Sequence, residues 1–336
     1  MKTRVPDYYD AFSCLAGDCP HSCCLGWEVV IDEDTARRYQ SAPGPLGDRL
    51  RAAMVRDEDG DCCFPLNGGR CPFLNGENLC DIHCVWGAEA TSVTCREHPR
   101  FIEEYGPFRE VTLTASCPAV GRLLLGSDAP LTFLEREDAL PPEAGDEWLD
   151  WLVPLRDRLL ALLQDRSRPL RVRLRYFLLL AQAAQPCIDS EETEALSSLA
   201  VPETAVSGEA APLFPDALRL LAEAEPLEPD WPSLLHQAET AAEVAVPETL
   251  LERIAVYFAF HYLLKAVNDG DLLGRAAFCV FAVAVIARLA AVCGLSEALR
   301  RFSCEVEHSG DGPEALLDAL SPEGPLPPQR LLAVLA

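Results

Sequence analysis

Beyond about residue 120, apolar positions recur at helical spacing, with leucine and alanine on the buried faces and glutamate on the polar ones. The pattern predicts helices at 146–166, 170–185, 213–225, 232–244, 248–267, 272–293, 295–307 and 313–320. Pro-rich or polar joints such as PLEPDWP at 226–232 separate them. The segment 186–212 has few large apolar residues and predicts loops with one short helix. Before residue 120 this period is lost. WEVVID (27–32) reads as a short strand and DEDTARRYQ (32–40) as a helix with an acidic start. PGPLG (43–47) reads as a break, with LRAAMVR (50–56) resuming the helix, and DEDGD (57–61) as a polar turn. FREVTLTASCP (108–118) alternates as a strand does. The expected fold is therefore mainly α: a cysteine-rich N-terminal metal or cluster module with short strands (1–120), then an all-helical body (121–336). No fixed-period repeat indicates a solenoid.

Composition narrows the partners. At 49% hydrophobic, the 336-residue chain can bury a sizeable core, and a formal charge of −25 repels nucleic-acid phosphates and anionic lipid. Nucleic acid and membrane are thus set aside. Of 28 basic residues only Lys2 and Lys265 are lysine, so a cationic, lysine-bearing polypeptide could be steered here, although an arginine-favouring composition gives the same count. MKTRVPDYYDAF has no apolar run behind its basic start, as a secretory signal would. AAFCVFAVAVIA (276–287) covers 12 residues between Arg275 and Arg288, against roughly 20 for a bilayer, and predicts a buried helix in a cytoplasmic protein. A reducing compartment turns fifteen cysteines towards metal or redox use.

Eleven of those cysteines lie in the first 117 residues. FSCLAGDCPHSCCLGW (12–27) holds Cys14, Cys19, Cys23 and Cys24 on a loop with neither helical nor strand period. FPLNGGRCPFLNGENLCDIHC (64–84) adds Cys71 and Cys80 among Gly, Asn and Pro, where turns would aim backbone amides at the sulfurs. Cys95 and Cys117 follow. C-x-x-C is absent, and the C-x₃-C-x₂-C pattern fails at Gly26 and Gly87. The spacings therefore predict a discontinuous metal or cluster site, with a metal-free thiol core as the alternative. Cys187, Cys279, Cys293 and Cys304 sit in helical surroundings as small hydrophobes.

The run FSC-LAGDC-PHSCC-LGW, with CPFL (71–74), LCDI (79–82), TC (94–95), HPR (98–100) and SCP (116–118), resembles the flagellin lysine-N-methylases, the FliB family. The likeness extends less specifically through YLLKAVNDGDLL (262–273) and FSCEVEHS (302–309). It implies methyl transfer from S-adenosyl-L-methionine to lysines of flagellin or a similar surface protein, with a [4Fe–4S] cluster, or zinc in its place. The cysteines matching the family pattern are Cys14, Cys19, Cys23, Cys24, Cys71, Cys80, Cys95 and Cys117; Cys62, Cys63 and Cys84 match none with certainty. Eight thiols exceed the four a cubane needs, so either two sites exist or some thiols stand behind the ligands. Non-catalytic zinc or iron binding, redox sensing and electron transfer are the competing classes.

No G-x-G-x-x-G follows a strand, so a donor pocket is not announced, and no catalytic base is identified. His21 and His83 flank the cysteines as possible ligands or bystanders. His98 precedes a proline, which favours an extended turn, and Arg100 could bind a thiolate or carboxylate. Trp27 reads as a shield over the metal, with stacking on adenine as the alternative, and Tyr8, Tyr9 and Phe12 as further cover. Tyr257, His261 and Lys265 share one helix face with Phe260 and Tyr262 nearby, either packed or facing a substrate. Asp269 and Asp271 sit in a polar loop that needs no function.

Overall fold

The computed structural model describes residues 1–57, 60–137, 139–202, 213–310 and 312–335. Strands β1 (Lys2–Pro6), β2 (Val29–Val30), β3 (Val55–Arg56), β4 (Cys62–Phe64), β5 (Arg100–Glu104), β6 (Phe108–Leu113) and β7 (Phe133–Glu137) build two small sheets. The larger runs β5-β6-β1-β7, with β1 parallel to β6 and antiparallel to β7; the smaller runs β2-β4-β3, antiparallel throughout. β1 alternates as a half-buried strand should, with Thr3 and Val5 inward, and ends at Pro6, which cannot donate to a ladder.

The helices of the N-terminal part are short: α1 (Glu33–Ser41), α2 (Gly44–Ala53), α3 (Asp81–Trp86), α4 (Val93–Glu97) and α5 (Pro118–Leu125). The body carries α6 (Leu149–Leu163), α7 (Leu170–Asp189), α8 (Leu213–Glu223), α9 (Trp231–Thr240), α10 (Glu248–Tyr262), α11 (Leu272–Cys293), α12 (Leu295–Phe302), α13 (Gly312–Ala319) and α14 (Pro328–Val334). The mainly α class holds, and the periodic segments become helices. Three local expectations change. PGPLG parts two helices as expected, but α2 resumes at Gly44 within it, because a proline in the first turn costs no hydrogen bond, and it ends at Ala53 before the strand Val55–Arg56. The predicted helix 295–307 ends at Phe302 and continues as one π-helical turn, Ser303–Glu307. In the body, β7 extends the sheet begun by β1, so that part is not wholly helical. Of 186–212, residues 203–212 lie outside the described residues, and a 3₁₀ turn covers Thr193–Ser198.

Two apolar cores result. α11 is the axis of the large one and packs against α7, α9, α10 and α12. It is apolar all round, and Phe278, Phe281, Val285 and Ile286 are fully buried, each worth about 1.5–3 kcal/mol on leaving water. By length and composition it could cross a membrane, but 67% of its most apolar window lies inside the fold, as in a core helix. Tyr8, Leu113, Ala115 and Val120 join this core, while a smaller one runs from Ile31 to Ile82 around Tyr39, Phe64 and Phe73. Residues 1–120 are thus shared between the two.

Buried charge ties sheet to helices. Arg156 on α6 donates to both carboxylate oxygens of Glu110 on β6 at 2.8 and 2.7 Å, and both side chains are at most 3% exposed. Glu252 on α10 accepts from Arg166 at 2.8 and 2.9 Å and from Arg173 at 2.5 Å. Such charges persist only because each is paired and hydrogen-bonded.

Candidate functional site

Backbone bonds fasten the loop 14–27 to the loop 67–80. Cys71 N donates to Cys24 O at 2.9 Å, Gly26 N to Gly69 O at 3.0 Å, and the Asn78 amide to Cys19 O at 3.2 Å. Gly26 makes this approach at φ +85°, a conformation that favours glycine. Asp32 then brings in the third piece: one carboxylate oxygen caps α1 at Thr35 N and the other accepts from Val93 N, both at 2.9 Å. Ser92 caps α4 by accepting from Cys95 N at 3.3 Å.

This stitching gathers Cys23, Cys24, Cys71 and Cys80, with Cys95 beside them. Cys24 neighbours both Cys23 and Cys71. Cys23 raises the Cys24 pKa most, opposed by Cys71, and with burial carries it to about 12. Cys24 and then burial push Cys71 higher still. Burial raises Cys80, and takes Cys95 to about 11, with neighbouring thiols adding in both cases. Against that resistance, backbone amides point at the sulfurs: Phe73 and Leu74 at Cys71, Ile82 and His83 at Cys80. Amides aimed at sulfur, in a nest of thiols that repel one another's charge, suit thiolates held on a cation.

Cys14, Cys19 and Cys117 form a second neighbourhood. Cys117 is the N-cap of α5 and receives the amides of Ala119 and Val120. Its pKa is raised by burial first, then by Cys19 and Cys14. Ala16 N donates to Cys14 Sγ at 3.4 Å, and the Cys19 thiol donates to His21 O at 3.2 Å. The eight cysteines therefore fall into two groups joined by one loop. Among the described residues, no three His, Cys, Asp or Glu side chains converge in the arrangement of a bound ion. As donors both groups fit a soft metal or an iron–sulfur cluster, being thiol-only and supplied with sulfur-directed amides. Cys62 and Cys63 lie on β4, where Cys63 contacts Glu28 at 3.8 Å, and Cys84 is exposed on α3.

Beneath the cysteine loop lies a polar cluster that sequence reasoning did not assemble. Trp27 donates to Cys23 O at 2.6 Å, and its ring sits 5.9 Å from His98 and 5.8 Å from His308. His308 Nε2 bonds Thr114 at 3.0 Å and Ser116 at 2.9 Å, immediately before Cys117. Glu307 is fully buried and accepts from Tyr257 at 3.2 Å, Tyr262 at 3.1 Å and Ser303. Burial raises its carboxyl to about 7, while burial drives His308 and His98 down to about 4 and His261 well below its ordinary range. The cluster thus pairs a carboxyl titrating near neutrality with neutral imidazoles. Single-turn π helices recur at functional positions, and this one ends on Glu307. The only sequence signal was a Glu-His pair closing an amphipathic segment.

The remaining candidates take structural places. Arg100 donates to Tyr9 Oη at 2.9 Å and lies over the Tyr9 and Phe12 rings. Tyr257, His261 and Tyr262 are buried in the cluster, and Lys265 pairs with Glu103 at 2.7 Å. Asp271 caps α11 at Gly274 N, 2.8 Å, and Asp269 pairs with Arg275. His21 lies 3.6 Å from Glu297, and His83 meets Cys80 through its backbone.

Over 135 residues, 37% of this chain, the sequence is 29% identical to the flagellar biosynthetic protein FliU of Salmonella muenchen, covering 78% of that protein. The lysine-N-methylases of Salmonella typhimurium and Salmonella choleraesuis match at 29% over 135 residues, 37% of this chain and 33% of theirs. The chain thus spans about a third of the lysine-N-methylases it matches. No family model and no solved structure matches. The resemblance drawn from the cysteine pattern is therefore present as measurable identity to FliU and the lysine-N-methylases.

Proposed function

We propose that this chain is a cytoplasmic, S-adenosyl-L-methionine-dependent lysine N-methylase acting on flagellin or a similar surface protein, with a [4Fe–4S] cluster on its N-terminal cysteines. The observation that carries the reaction is the identity to proteins named lysine-N-methylase. Fifteen free cysteines suit a reducing compartment, and the amide-backed thiols suit the cluster. The group of Cys23, Cys24, Cys71, Cys80 and Cys95 contains more than the four sulfurs that a cubane takes, and Cys14, Cys19 and Cys117 stand by as a second set. Were one iron left without a thiolate, the cluster would offer an open coordination position beside the cysteine loop.

The protein's own residues contribute recognition and exclusion of water. A net charge of −25 attracts a lysine-bearing substrate and speeds its encounter. The enzyme offers few competing amines, since Lys2 pairs with Glu135 and Lys265 with Glu103. An attacking lysine must lose the proton it holds near pH 10.4, and removal from water favours its neutral form. Trp27, His308 and Phe101 form a run of half-buried rings beside the loop, with centroids 5.8 and 5.5 Å apart. The test is incubation of the anaerobically purified chain with methyl-labelled adenosylmethionine and flagellin. Label in flagellin lysine supports the proposal. Bound metal with no transfer to any lysine-bearing polypeptide leaves the non-catalytic, metal-binding or redox-sensing reading.

A further inference from the structure

A cavity of about 350 Å³ opens between the cysteine loop, the start of α5 and the turn from α11 into α12. This volume lies within the range of small-molecule sites, roughly 300–1,000 Å³. Three segments distant in sequence build it, and the prolines on its wall, Pro20 and Pro118, directly follow Cys19 and Cys117. It therefore abuts the second thiol neighbourhood, away from the Cys24–Cys71 pair.

The walls carry both signs of charge. Arg300 is already held by Glu228 at 2.8 and 2.9 Å and by Glu297 at 2.9 and 2.6 Å. Arg122, exposed on the wall, has no hydrogen-bond or ion-pair partner among the described residues, an uncommitted cation in a strongly acidic protein. Glu297, whose two oxygens Arg300 already engages, is the acid among the lining residues, and Gly294 at φ +79° enters α12 with no side-chain cap over the first amides. The Arg122 guanidinium and the free amides match the carboxylate of an α-amino acid, and Glu297, shared with Arg300, is the lining acid for its ammonium. Pro20, Pro118 and Leu295 add apolar surface for the rest of such a ligand.

We infer that this cavity is the methyl-donor site, taking adenosylmethionine with its amino-acid end between Arg122 and Glu297 and its body against Pro20 and Pro118. The inference rests on the methylase reading and gives the donor a place that no glycine-rich turn supplies. The cavity faces Gly121, where an added Cβ would lie 3.7 Å from Ser296 Oγ, so a large side chain there would fill it.

The test is calorimetric titration of the anaerobically purified full chain with adenosylmethionine and with adenosylhomocysteine, comparing wild type, Arg122→Ala and Gly121→Phe. Circular dichroism melts verify that each variant is folded. Losing a charged hydrogen-bond partner should weaken binding about ten- to a hundredfold in Arg122→Ala. In Gly121→Phe, binding should disappear at concentrations that saturate wild type. Wild-type affinity in both folded variants overturns the inference even if lysine transfer proceeds, as does a wild-type chain that binds neither compound. Donor binding that both variants lose, with no transfer to flagellin or any other lysine-bearing protein, sustains the cavity and removes the lysine-methylase reading.

Discussion

Replacing Glu307 by glutamine should make the protein more stable at pH 8 and leave it nearly unchanged at pH 5. The side chain is fully buried, and burial raises its carboxyl from 4.5 to about 7. The sign follows from proton counting. Below pH 4.5 both folded and unfolded states hold the proton; between there and about 7 only the folded state does. Stability contributed by this group is therefore present at low pH and lost as the pH rises through about 7. Above both values the cost to the fold is about 3 kcal/mol, at 1.36 kcal/mol per tenfold in affinity. Glutamine keeps the volume and an oxygen for the hydroxyls of Tyr257, Tyr262 and Ser303 but cannot ionise. Imperfect matching of the new amide offsets part of the gain, leaving about 1–3 kcal/mol at pH 8. Glu305 is also raised to about 7 by burial and titrates in both proteins, so it cancels in the comparison. Urea unfolding of wild type and Glu307→Gln from pH 5 to 8 reads the effect as diverging midpoints. Parallel profiles, or a variant that loses ground as the pH rises, would refute the reasoning.

Three further outcomes are expected. Arg156→Ala strands a buried Glu110 carboxylate and should cost about 3–5 kcal/mol in urea unfolding, whereas replacing both partners by apolar residues of similar volume should cost much less. Phe278→Ala opens the centre of the large core and should cost about 3–5 kcal/mol by the same assay. Cys71→Ala should lower bound metal sharply, while Cys62→Ala, on a strand outside both thiol groups, should leave metal content per chain as in wild type.

The helical body was legible because its signal is local: α7 and α10 carry leucine, alanine and phenylalanine at helical spacing and α11 a long apolar run, each visible in a window of one helix. β1 and β7 were not, because KTRVP and FLERE mix charge with apolar residues in no clean alternation, and their pairing joins residues about 130 apart. The proline of PGPLG misled for a related reason, since the same residue breaks a helix inside and starts one at its first turn. In the site, the cysteines announced themselves by type and crowding, but their division into two groups depends on how the loops 14–27 and 67–80 are zipped together. Glu307 and His308 stayed hidden because a polar pair at the end of a helix ordinarily faces water. Only the fold brings Tyr257, Tyr262 and Thr114 around them from other elements.

Iron, zinc and acid-labile sulfide per chain, measured after oxygen-free purification, bear most directly on thiols from separate loops gripping one inorganic centre. About four iron and four sulfide per chain are expected, falling together in Cys71→Ala. Zinc without sulfide would contradict the iron–sulfur assignment, and a chain free of metal altogether would contradict the shared centre itself.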